Sequence, residues 1–145
     1  MHPILRISEA GSLALHAMHI LGTNPEKKIS TKKLAETLHA SEAHLSKVLQ
    51  RLAKPGFVRS IRGPGGGFVL GKSPERITLL DVLEAIEGPM TNKNCLLANS
   101  ICTGKGQCIL GSLLDDLNNQ VKTYFSSTRL SMLKNNPLLE KESVK

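Results

Sequence analysis

No apolar run in these 145 residues approaches the roughly 18 that a membrane span requires, so no bilayer insertion is expected. The first residues, Met1-His2-Pro3-Ile4-Leu5-Arg6, run into Glu9 and a helical pattern, without the basic start, apolar stretch and cleavage site of a signal peptide; the expected location is the cytoplasm. Cysteine is sparse, three in all, and in a reducing compartment these are not a disulfide framework. No internal repeat is present. No serine, histidine and acid arrangement stands out for nucleophilic catalysis, so no enzyme site is expected. At 15.7 kDa the chain is sized for one small domain, which argues against a multidomain enzyme.

Acidic residues are outnumbered, 12 against 19 lysines and arginines, and the formal charge is +7. The excess is local. From Lys27 to Arg62, nine basic residues (Lys27, Lys28, Lys32, Lys33, Lys47, Arg51, Lys54, Arg59, Arg62) face only Glu36 and Glu42, so this window carries the whole +7; elsewhere basic and acidic residues cancel. Concentrated positive charge is what a polyanion-binding face requires.

The same window has a recognisable organisation. Ser8 can cap a helix running to about Gly22, with Leu13, Leu15, Ala17, Met18, Ile20 and Leu21 at helical spacing. Ser30 can cap a short helix that turns Leu34, Ala35 and Leu38 inward. Ser41 can cap a third, to about Lys54, with Leu45, Val48, Leu49 and Leu52 as its buried stripe and Glu42, His44, Ser46, Lys47 and Gln50 outside. Two short helices a few residues apart form a helix-turn-helix pattern. The runs Phe57–Ile61 and Phe68–Leu70 then flank Arg62-Gly63-Pro64-Gly65-Gly66-Gly67: a strand, a glycine-rich turn and a strand, which predicts a wing. Thr78, with Asp81 three residues on, predicts a capping box and a helix to about Glu87.

Residues 66–73 satisfy the phosphate-loop expression G-x-x-x-x-G-K-S, but Phe68, Val69 and Leu70 are bulky strand formers and Pro74 follows at once. A nucleotide-hydrolysing loop is therefore rejected. Beyond Gly88-Pro89 the chain is turn-rich and holds Cys95-x6-Cys102-x5-Cys108 within fourteen residues. Three soft ligands in one segment favour zinc, copper(I) or an iron-sulfur cluster, although the spacing is not the C-x2-C of structural zinc and a fourth position is left to another group. Cys108 is expected to open a long amphipathic helix carrying Leu110, Leu113, Leu114, Leu117, Val121, Tyr124 and Phe125, whose dipole would favour its thiolate. That apolar face is expected to pair in part with a second copy.

Arg62-Gly-Pro-Gly-Gly-Gly-Phe-Val-Leu-Gly71, the stretch Ile77 to Gly88, the early Ile-Ser-x-Ala-Gly and the late Tyr124 to Leu130 resemble the bacterial winged-helix regulators of the IscR, NsrR and CymR family, from about Arg6 to Leu133. The resemblance implies a mainly α fold with a small β-wing: a winged helix-turn-helix domain (1–90), a cysteine-rich cluster-binding loop (91–108), a dimerisation helix (109–133) and a polar tail (134–145). It implies a homodimer on double-stranded DNA with a palindromic operator, recognition helices in successive major grooves and wings reaching minor grooves. Cys95, Cys102 and Cys108 match the cysteines that hold a two-iron or four-iron cluster in cluster-binding members. The positions where relatives carry a fourth ligand are here Gly111 and Ser12, and His16, one turn on, is the candidate. Lys32, Lys33, Arg51, Arg59 and Arg62 are then expected on phosphate, Ser41, Ala43, His44, Ser46 and Lys47 on base edges or backbone, and Gly63, Gly65 and Gly66 against the sugar-phosphate edge. The expected function is a repressor whose operator affinity follows cluster state; the alternative is a cluster-free regulator controlled by thiol oxidation, zinc or a partner protein.

Overall fold

The computed structural model describes residues 5–90 and 108–133. Three serines start three helices. Ser8 accepts the Gly11 amide at 3.0 Å and opens α1 (Glu9–Thr23); Ser30 accepts that of Lys33 at 3.1 Å and opens α2 (Thr31–Leu38); Ser41 accepts that of His44 at 3.3 Å and opens α3 (Glu42–Ala53). Each hydroxyl satisfies an amide that the helix itself cannot. Strands β1 (Val58–Ile61) and β2 (Gly67–Leu70) pair antiparallel, Val58 opposite Leu70 and Ile61 opposite Gly67. A complete capping box opens α4 (Leu79–Glu87): the Asp81 amide donates to Thr78 Oγ1 at 3.1 Å and the Thr78 amide to Asp81 Oδ2 at 2.9 Å.

One aliphatic core joins these elements, with Ala14, Met18 and Leu21 of α1, Leu34 of α2, Leu45, Leu49 and Leu52 of α3, and Val82 and Ile86 of α4 all buried. Among the described residues, five α-helices and a two-stranded sheet agree with the expected mainly α fold and its small wing.

The last helix departs from expectation at both ends. It does not begin at Cys108 but runs as α5 (Leu113–Ser127), because Gly111 takes the left-handed conformation, φ +56°, and interrupts helical geometry. Cys108 therefore lies outside the helix, and the expected dipole stabilisation of its thiolate does not apply. Nor does the helix reach Leu133. At Thr128 the backbone becomes extended and returns to α4: the Leu79 amide donates to Thr128 O at 2.9 Å and the Leu130 amide to Ile77 O at 3.0 Å. Phe125 and Leu130 enter the core through this return, so the end of the chain's described part packs on its own domain.

The turn between α2 and α3 contains His39 at φ +51°, ψ +42°, a left-handed conformation in which a Cβ crowds the backbone and which glycine adopts without that cost. A His39→Gly protein is expected to gain about 0.5–1 kcal/mol, read as a higher urea midpoint with unchanged slope.

Candidate nucleic-acid interface

Burial of Leu45, Val48, Leu49 and Leu52 sets the rotation of α3, leaving Ala43, Lys47 and Gln50 exposed on its far side and Ser46 half-buried beside them. His44 and Arg51 sit on the flanks. The His44 ring lies 3.9 Å from a Glu9 carboxylate oxygen at the start of α1. The Arg51 guanidinium donates to the Ile86 carbonyl at the end of α4, a helix with no basic residue of its own in its last turn. A cation there complements the negative end of the helix dipole. Arg51, expected on phosphate, is exposed and spends one donor of its fork on an orphan carbonyl of α4.

Lys32 and Lys33 are exposed in the first turn of α2, the end where the dipole disfavours cations and favours anions. Two surface clefts connect them to neighbouring elements. One of about 370 Å³ brings Lys33 together with Lys27, Lys28 and the wing-turn residues Gly65 and Gly66. The other, about 460 Å³, places Lys32 beside Glu42 at the start of α3. The wing is held here by Ile29, whose amide donates to Phe68 O at 2.9 Å and whose carbonyl accepts the Phe68 amide at 2.8 Å. Sequence reasoning missed this contact and with it the place of Lys27 and Lys28 beside the wing; the only signal was a β-branched residue before the Ser30 cap.

Arg59 and Arg62 are exposed on and beyond β1, and Ser41 is exposed where it caps α3. The wing turn closes with the Gly66 amide donating to Gly63 O at 2.8 Å, Pro64 second and Gly65 third with φ +71°, the pattern of a type II turn. Around Gly63 no atom would meet an added Cβ within 4 Å, so the tip is open. Gly66 differs: a Cβ there would lie 2.6 Å from Ile61 O and 2.8 Å from Gly63 O. Its lack of a side chain is required by the hairpin itself, whatever the wing touches.

The rejected phosphate loop has no counterpart in the fold. Gly67–Leu70 is strand, only a three-residue 3₁₀ turn, Pro74–Arg76, follows, and the Lys72 ammonium sits 4.8 Å above the Phe57 ring centre. In that turn the Ser73 hydroxyl donates to Glu75 and holds its carboxyl below the usual range.

Of the expected cluster ligands, Cys95 and Cys102 lie outside the described residues. Cys108 is exposed with a free thiol, and among the described residues no three histidine, cysteine or acidic side chains converge. His16 is exposed on α1. Its Nδ1–H donates to the Ser12 carbonyl at 2.7 Å, since a carbonyl only accepts, and this leaves the Nε2 lone pair available, the tautomer of a metal-ligating histidine. The ring borders a shallow apolar cleft of about 160 Å³ with His19, Leu79, Phe125 and Leu133. Gly111 and Ser12 offer no such donor.

The described residues thus form a winged helix-turn-helix with a basic α2 start, an open wing tip and a polar outer face on α3. The family described as "Rrf2: Iron-dependent Transcriptional regulator" matches residues 7–136. The chain belongs to the Rrf2 family. It is a transcriptional regulator and not an enzyme. Among curated relatives, the HTH-type transcriptional regulator IscR of Photorhabdus laumondii is 30% identical over 133 residues, covering 91% of this chain and 80% of that protein. The structure of CymR, the global cysteine regulator of B. subtilis, superposes with a TM-score of 0.74 at 32% identity over 90% of this chain and 97% of that one. IscR of T. potens shares the fold, with a TM-score of 0.68 at 24% identity over 97% and 89% of the two chains. No helix among the described residues of this Rrf2 protein is long and apolar enough to cross a membrane.

Proposed function

We propose that this Rrf2-family regulator acts in the cytoplasm as a homodimeric repressor on a palindromic operator, with an affinity set by a two-iron or four-iron cluster on Cys95, Cys102, Cys108 and His16. The carrying observation is the pairing of the basic winged helix-turn-helix with a histidine whose Nε2 is open on α1. The family's description as an iron-dependent transcriptional regulator points the same way. The donor set suits the group: three thiolates and an imidazole match iron-sulfur ligation. Bound there, the cluster would supply a redox- and nitric-oxide-reactive centre whose presence depends on all its ligands.

The chain's own part in the response follows from its packing. His16 lies on α1, whose Ala14, Met18 and Leu21 share one core with Leu45 and Leu49 of α3, so a shift of α1 would be felt by the recognition helix. Cys108 precedes α5, whose Leu113 and Tyr124 are 50% and 59% exposed and supply apolar surface for a second copy. Ligation changes operator affinity through the difference in free energy between the two arrangements.

A second reading is favoured by the exposed Cys108 thiol and by the likeness to CymR: control by thiol oxidation, zinc or a partner protein, with the same DNA-binding face. The two are separated by iron and acid-labile sulfide analysis with an absorption spectrum on anaerobically purified protein beside Cys102→Ala. Near-equal iron and sulfide, lost in the variant, are expected. Zinc or no metal in the wild type leaves the second reading.

A further inference from the structure

The geometry points to Gln50 as a base-reading residue of α3 that sets operator specificity, an inference that rests on the DNA-binding reading above. Residues follow each other by 100° around a helix, and the buried Leu45, Val48, Leu49 and Leu52 define the inward direction. Directly opposite lie Ala43, Lys47 and Gln50. The two flanking residues have partners on neighbouring helices instead: the His44 ring lies 3.9 Å from a Glu9 carboxylate oxygen, and the Arg51 guanidinium donates to the Ile86 carbonyl. Gln50 is exposed and its carboxamide hydrogen-bonds to no described residue.

A carboxamide offers a donor and an acceptor side by side, the complement of adenine N6 and N7 in the major groove. Its place along the helix also matters. Seven residues separate Ala43 from Gln50, about 10.5 Å at 1.5 Å per residue, or about three base-pair steps. A helix laid along the groove thus carries Ala43, Lys47 and Gln50 past successive pairs. A helix docked end-on by its first turn would leave Gln50 out of reach.

The test begins with duplexes selected from a random-sequence pool by the wild-type protein, followed by binding to each single-base variant of the best duplex. Gln50→Ala is expected to lose the preference for one A·T pair in each half-site, by about 5- to 150-fold in discrimination, with other positions unchanged. Its thermal unfolding should equal that of the wild type, because the side chain is exposed and unpartnered. Arg51→Met is expected to keep the base preferences while lowering stability. Unaltered discrimination in Gln50→Ala would overturn the assignment, and so would an Arg51→Met protein that loses the same A·T preference, since the reading of that pair would then not belong to Gln50. If the wild-type protein selects no sequence at all, the DNA-binding reading itself fails and this inference falls with it.

Discussion

An Arg62→Ala protein is expected to bind every duplex more weakly, by about tenfold for each arginine removed at 0.1 M salt, and to lose about one unit from the salt slope per subunit. The size follows from counterion release: a phosphate contact with a slope of about 0.9 is worth close to a factor of ten for each tenfold dilution of salt. The structure leaves this charge available. Arg62 is exposed just before the open turn at Gly63, and among the described residues it has no ion-pair or hydrogen-bond partner. Affinity measured by anisotropy from 50 to 300 mM salt gives both quantities at once. A loss confined to duplexes with A/T-rich flanks would mean that the side chain enters a narrow minor groove and reads shape. Unchanged affinity and slope would remove the wing from the interface.

Leu49→Ala is expected to cost about 2–5 kcal/mol, a large share of the 5–15 kcal/mol that usually separates folded from unfolded domains. Leu49 is 0% exposed in the middle of α3 and packs in the core shared by α1, α2 and α4. Collapse around the missing atoms is limited, because Ser41 caps one end of α3 and Arg51 ties the other to Ile86. The cavity therefore persists and adds to the lost transfer free energy. Urea unfolding followed by circular dichroism should show the midpoint falling with the slope retained. An unchanged midpoint would contradict the burial of this face of α3, and with it the outward placement of Lys47 and Gln50.

Sequence and structure agree most closely where a feature depends on neighbours within one turn. Ser8, Ser30, Ser41 and Thr78 each cap an amide three residues away, so each helix start is encoded in a few adjacent positions. The buried stripe of α3 follows from spacing alone. The hairpin is legible for the same reason, since Pro64 and Gly65 occupy the second and third turn positions that such chemistry demands.

What the sequence did not announce shares a different cause. Arg51 and Ile86 are 35 residues apart, and nothing near Arg51 in the chain announces that a carbonyl of α4 needs a donor. Periodicity carried α5 on to Leu133, but residues 128–130 give up helical bonds for pairing with residues 77–79. Ile29 reads as a connector until Phe68 is folded against it.

By itself, then, the sequence determined the caps, the amphipathic stripes, the wing turn, the concentration of charge between Lys27 and Arg62, and the placing of three cysteines in one segment. Tertiary structure alone decided that Arg51 reaches the end of α4, which lysines stand beside the wing, where α5 stops and which nitrogen of His16 is left open. The first group rests on interactions that close within a few residues, whose geometry is written in local residue types. The second rests on contacts that exist only once distant segments meet, where one more buried side chain or one satisfied carbonyl outweighs any local preference.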